Sequence, residues 1–480
     1  KQQLETEKLP SYLGSRWISY TYENGTGGTL EGRASGYTLG VSGTLAQDMT
    51  SLLGYSASTG NITSLTATHD GVSARAFAYS YASNTSLLTG ISQSGINYTQ
   101  TRAYESDRDL LKEMTTKFST TTKTRFDYTY NTMGQRISAK QYGQSGSAFA
   151  DMGNDSFYRY TYNSRGELTL AAGYLGSNVE TLTSALPGRY FELGYDQAGN
   201  RTSFNATGDT GTQSDYTINS LNQITGKENH YVPVSGTVDS DAKVIVNGAL
   251  AGQQGNYWSG EALLSNATDP VYATDISVKS ATDSPHEVDI LSPQLAAFIA
   301  SAAETLKYDL DGNLIEDGRW GYVYDAENRL IMMFTRGAPE DPDEEVSANE
   351  AVWDSGVPRR KLIYRYDSLG RRTAKETWSW VSSAWSKTSD VRFVYQGWNL
   401  IAELDSSGVL ERSHAWGLDI GGTLSGTGGI GALVQSVDHT DSDTSYLPGY
   451  DGSGNVTAMM KDDGTIVAAY EYSPFGKLLR

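Results

Sequence analysis

The sequence contains no cysteine and only five histidines, and its 480 residues hold no long apolar run. Without cysteine there is no disulfide framework, no thiolate zinc site and no cysteine nucleophile. His69, His230, His286, His414 and His439 include no pair at the spacing of a zinc-peptidase helix. No stretch approaches the ~18 apolar residues of a membrane helix. Basic residues are also scarce: 37 Lys and Arg stand against 56 Asp and Glu, a formal net charge of −19. So acidic a chain, with no Lys/Arg-rich stretch, repels phosphate backbones and disfavours nucleic acid as a partner. Lys1 to Pro10 carry no apolar signal core, and an opening Lys in place of Met suggests a processed or excised piece.

Catalytic motifs are equally sparse. There is no G-x-S-x-G elbow for a serine hydrolase. The glycine-rich Gly426 to Gly431 lacks a strand before it and gives no support for nucleotide binding. The string from Asp309 to Asp317 places acids like a calcium loop, but Gly312 falls at position four and Trp320 takes the place of the terminal Glu. A hairpin turn is the better reading there, and no cofactor or metal is expected. With 56 acids, a glycosidase carboxylate pair is neither found nor excluded by spacing alone.

What the chain has instead is tyrosine, 32 of them, many in alternation: Tyr128 and Tyr130, Tyr158, Tyr160 and Tyr162, Tyr322 and Tyr324, Tyr364 and Tyr366. A spacing of two puts both rings on one face of a strand. These pairs belong to a repeat: aromatic alternation, Asp or Asn, two residues, Gly, a polar residue, then a second strand. The clearest copies hold Tyr195, Asp196, Gly199, Asn200 and Arg201; Tyr308, Asp309, Gly312 and Asn313; and Tyr324, Asp325, Asn328 and Arg329. Two more hold Tyr366, Asp367, Gly370 and Arg371, and Tyr450, Asp451, Gly454 and Asn455. Asp or Asn accepts from backbone N–H groups two residues on, and Gly then takes the left-handed conformation of a type I turn with a bulge. Where Gly is missing, Asn222 or Asn328 stands near its place. Each unit is a two-stranded hairpin, marginal alone, so the units must join edge to edge into one long curled sheet.

The pattern stops between about Val232 and Ser280, where short strands and the Asn247–Gly248 turn signal suggest a small inserted β-sandwich of immunoglobulin type. Ser292 to Leu306 is the helix candidate, with Ser292 as N-cap and Pro293 as first helical residue. The acidic stretch from Ala338 to Gly356 reads as a solvated loop. The organisation expected is a diverged repeat region over 1–125, a repeat sheet over 126–230, the insert over 231–282, a linker with a short helix over 283–306, and a second repeat sheet over 307–480.

The strings YDQAGNR, YDLDGNLIEDGRWGYVYDAENRL, YRYDSLGRR, FVYQGWNLIAEL, YDGSGNVTAMM and YEYSPFG resemble YD-repeat proteins: bacterial Rhs proteins, the C components of insecticidal toxin complexes, and the YD shell of teneurins. The run from Tyr308 to Leu330, with Pro474–Phe475–Gly476, is similar to an Rhs repeat-associated core. The resemblance implies an all-β, spirally wound sheet forming a hollow shell that encloses a C-terminal toxin segment. In that family, chain beyond the PFG element caps the shell and in many members cleaves itself. The sequence read here ends at Arg480, so neither activity attaches to its residues.

The leading expectation is therefore a non-enzymatic shell or trough, exported or at a cell surface, whose partner is an encapsulated toxin or C-terminal segment, or secretion machinery. The second is an adhesion protein binding glycans through Trp378, Trp380 and Trp385, and through Trp258 in the insert, set against the plainer reading that these rings only pack.

Overall fold

The computed structural model describes residues 4–23, 32–41, 47–206, 213–281, 295–335 and 357–480, and the backbone of 288–290. The acidic stretch 338–356 lies outside the described residues. The fold is all-β. Three single 3-10 turns are the helical segments among the described residues.

Almost every strand pairs antiparallel with the next one in the chain. The first sheet has 18 strands, running in sequence from Thr6–Lys8 to Ile224–Glu228 and ending on Ala303–Thr305. The second has 13 strands, from Lys307–Tyr308 to Ile466–Ala469. Ala303–Thr305 and Lys307–Tyr308 are separated by Leu306 alone, whose N–H donates to the Thr225 carbonyl at 2.9 Å. The two sheets thus meet at one joint, and residues 229–302 form an excursion closed at its neck by Asn229 N–H donating to the Ala302 carbonyl at 2.9 Å.

The meander coils until its ends face each other. Ile18, Leu39, Leu65 and Phe77 of the early strands share a core with Ile401, Leu404, Leu447 and Met460 of the late ones. Side chains fill this space, and the sheet stays open, not sealed into the hollow shell that the resemblance implies. The Tyr98 hydroxyl donates to the Pro448 carbonyl at 3.0 Å, and Arg75 pairs with Asp462 at 2.6 Å across the same interface. Deep ion pairing between Arg16 and Asp48 adds a charged contact near the Gly408 turn.

The excursion builds three small sheets around its own core of Val244, Val246, Trp258, Ala262 and Ile276. It docks through Tyr257, fully buried among Phe126, Tyr128, Phe149 and Leu186 of the first sheet. Ser292 and Pro293, the expected start of a helix, lie outside the described residues, and from Leu295 to Leu306 there is no helix. Leu295–Ile299 is a strand paired with Val271–Ile276, and Ala303–Thr305 pairs with Ile224–Glu228. Alanine favours helix by only fractions of a kcal/mol per residue, and two ladders of tertiary pairing outweigh it.

Candidate functional site: the tyrosine turns and the inner contacts

At each repeat the Asp or Asn carboxyl or amide oxygen accepts two backbone N–H groups. Asp367 Oδ1 takes those of Leu369 and Arg371 at 2.9 Å, and Asp309 Oδ1 those of Asp311 and Asn313 at 3.0 and 2.8 Å. The second oxygen holds the side chain after the Gly: Asn200, Asn313 and Asn455 by their amides, Arg329 and Arg371 by their guanidinium groups. These bonds stabilise the ionised form and hold Asp196, Asp309, Asp325 and Asp367 below the usual carboxylate range. Gly199, Gly312, Gly370 and Gly454 have φ between 80° and 89°, and Asn222 and Asn328 take the same left-handed region at 61° and 58°.

The tyrosine before the turn has a second task, which spacing alone did not reveal. Its hydroxyl donates to a backbone carbonyl of the preceding hairpin: Tyr162 to Arg136, Tyr195 to Leu168, Tyr366 to Leu330 and Tyr450 to Leu433, at 2.7 to 2.9 Å. Tyr22, Tyr55, Tyr81, Tyr104 and Tyr130 do likewise within the first 130 residues. Trp416 substitutes its indole N–H, donating to the Leu400 carbonyl at 2.6 Å. The reason is geometric. Strand pairing between Leu168–Leu175 and Ala185–Tyr195 ends at Leu170↔Glu192, leaving the Leu168 carbonyl two residues beyond the ladder. The same two-residue gap leaves Leu330 beyond Met332↔Ile363. Where the strands splay at the bulge, a phenol is long enough to satisfy a carbonyl that no backbone N–H reaches.

Neighbouring turns also lock together along the rim. Asn200 bonds Asn222, Asn313 bonds Asn328, Arg165 bonds the carbonyls of Asp196 and Gln197, and Arg371 bonds that of Gly397.

Inside the coil, the structure gathers residues that lie far apart in sequence. Asp443 Oδ1 is 2.7 Å from His439 Nδ1, and His439 Nε2 is 2.8 Å from Ser413 Oγ, the order of a hydrolase triad. Ser413, however, has 0% exposure, so no substrate carbonyl reaches its oxygen in this conformation. Its other neighbour is His69 Nδ1 at 2.6 Å, on the facing layer. With His439 donating to Asp443, Ser413 donates to His439 and accepts from His69, leaving His69 Nε2 as a buried atom without a partner. The chain of bonds ties the two ends of the sheet together. In sequence only the His439–Asp443 spacing is visible, and that alone marks a polar turn.

A cavity of about 220 Å³ lies between the strands holding Tyr128, Tyr158 and Tyr160 and the terminal segment with Tyr470, Glu471 and Tyr472. Glu471 forms a buried ion pair with Arg189 at 2.9 Å and also bonds Arg480, which reaches Asp151. This space is too small for a protein cargo.

Trp378, Trp380 and Trp385 lie together on one long hairpin, half-buried, with Trp380 and Trp385 edge-to-face at 5.4 Å. Trp258 is 5% exposed inside the insert's core, which removes it from reach of an external ligand.

No protein-family model matches the chain. It is 25% identical over 175 residues to the tRNA3(Ser)-specific nuclease WapA of Bacillus spizizenii, covering 36% of this chain and 6% of that protein. The tRNA nuclease WapA of Bacillus subtilis is 24% identical over the same length and coverage. The chain thus spans 6% of the length of these curated relatives. Among solved structures it is similar to the Photorhabdus luminescens Tc holotoxin pore, at 13% identity and TM-score 0.33, covering 97% of this chain and 23% of that one. A TcdB2–TccC3 structure without the hypervariable C-terminal region gives 13% identity, TM-score 0.34 and the same coverage. The class of the molecule is that of an open, all-β sheet built from repeated hairpins.

Proposed function

We propose that this chain is a section of wall in an exported, Rhs-type YD-repeat protein, a non-enzymatic scaffold that encloses or presents a toxin segment lying elsewhere in the protein. The observation that carries this reading is the antiparallel meander of two joined sheets, locked at most repeats by a tyrosine hydroxyl and an Asp or Asn turn. Such a meander extends by adding hairpins to its free edge, and its closure depends on how many are added. The stretch similar to the WapA nucleases is consistent with a toxin context. The 220 Å³ cavity beside Glu471 is itself too small to hold a protein cargo. The insert, docked through Tyr257 against the Phe126 and Tyr128 face of the repeat sheet, belongs to the same scaffold.

Protease protection and electron microscopy of the complete gene product test the proposal. The expected result is a wound wall with a flanking segment that resists digestion while attached and is cut once excised. A product whose flanking segments are digested at the rate of free peptide would overturn it.

A further inference from the structure

The hairpin of Arg372–Val381 and Ala384–Gln396, with its neighbour Arg360–Tyr366, carries a face whose charge opposes that of the whole chain. Lys361 lies opposite Trp378, and Trp378 opposite Lys387. The next row is Ile363, Glu376 and Asp390, and the one after it Arg365, Ala374 and Arg392. Residues in register across strands share one face. Toward the tip Trp380 faces Trp385, with the Arg359 guanidinium 5.8 Å from the Trp380 ring. The face therefore holds Arg359, Lys361, Arg365, Lys387 and Arg392 against two carboxylates, in a molecule of net charge −19.

The two carboxylates are already taken. Glu376 bonds Lys387, Arg365 and the Trp378 indole, and Asp390 bonds Lys387 and Arg392. Arg359 and Lys361 have no ion-pair partner among the described residues; they rest on aromatic rings instead. Burial lowers the Lys361 ammonium below its ordinary value, outweighing the pull of the nearby Glu376 carboxylate.

These cations occupy the ring faces a sugar would need. Lys361 is 5.5 Å from the Trp378 centroid and 5.0 Å from that of Trp385, Lys387 is 5.2 Å from Trp378, and Trp380 and Trp385 meet edge to face. Stacking against a neutral pyranose is thereby disfavoured, and the buried Trp385 indole N–H has no partner among the described residues.

We propose that this face binds an extended acidic peptide of a partner protein, its carboxylates at positions one, three and seven paired with Arg359, Lys361 and Arg365 and a neutral residue at position five over the Glu376 row. Carboxylates two residues apart on an extended chain recur every ~6.6–6.8 Å, the step between alternate residues such as Lys361 and Ile363 on the strand Arg360–Tyr366, which Arg359 immediately precedes. Arg365 is 62% exposed and Lys387 37% exposed at the side chain, so the face is open to such a chain.

The test is fluorescence anisotropy with a labelled Glu–Thr peptide carrying Glu at positions one, three and seven and Thr elsewhere, a Gln–Thr peptide of the same pattern as neutral control, and polygalacturonate as an acidic glycan. The Glu–Thr peptide should bind, weaken with salt, and lose roughly tenfold in affinity for each cation removed in Arg359→Ala and Lys361→Ala. Lys243→Ala, on the exposed surface of the insert, should leave binding unchanged. Arg365→Gln, 62% exposed and only 3.5 Å from Glu376, should weaken binding while circular dichroism shows the sheet retained, which keeps the test clear of misfolding. Absent binding, equal binding of the Gln–Thr peptide, or tighter binding of polygalacturonate at the same residues would each overturn the proposal.

Discussion

Acid should loosen the contact between the two ends of the coiled sheet, and His69 sets the pH window. The imidazole is 2% exposed, bonded through Nδ1 to Ser413, with Nε2 buried and unpartnered. Burial first, then the neighbouring His439, His414 and Arg75, lowers its pKa from 6.5 to about 3. Below pH 6.5 the unfolded chain takes up a proton that the folded chain refuses. The stability His69 supports is therefore whole above pH 6.5 and is lost progressively as the pH falls toward 3. At ~1.4 kcal/mol per unit, the loss between pH 6.5 and pH 5 is about 2 kcal/mol, before most carboxylates titrate. That is a large part of the ~5–15 kcal/mol of a typical fold. Urea midpoints followed by tryptophan fluorescence across this window should fall with acid in the natural protein and stay nearly level in His69→Gln. The other four histidines remain in both proteins, so the difference in slope isolates His69. Parallel slopes would refute the reasoning.

Three further outcomes follow from contacts described above. Tyr450→Phe removes the hydroxyl that satisfies the Leu433 carbonyl and should cost about 1–2 kcal/mol in chemical denaturation. Gly370→Ala meets no atom within 4 Å but must hold φ near +80°, so it should cost about 1 kcal/mol from backbone strain alone, with Gly370→Asn costing less. Glu471→Gln strands the buried Arg189 and should destabilise by about 3–5 kcal/mol, seen first as faster proteolysis of the terminal segment and the insert beside it.

The turns are written in adjacent residues. Asp367, Leu369, Gly370 and Arg371 make their bonds within five positions, so their spacing is enough to infer a hairpin. The all-β class follows from repeating that unit. Ser292 to Leu306 misleads because local composition there favours a helix while its partners, Val271–Ile276 and Ile224–Glu228, lie elsewhere in the chain. The tryptophans of the long hairpin are legible as a cluster, but of the cations covering their faces only Lys387 lies on that hairpin; Arg359 and Lys361 come from the segment before it.

By itself, then, the order of amino acids determined the hairpin, its turn and its repetition, because those depend on contacts a few residues long. The coil decided the rest: which carbonyl each tyrosine satisfies, and the meeting of His69 with Ser413 across 344 positions. It also decided the filling of the interior with side chains. Such pairings arise from the twist and curvature accumulated over many strands, a sum that no single repeat contains.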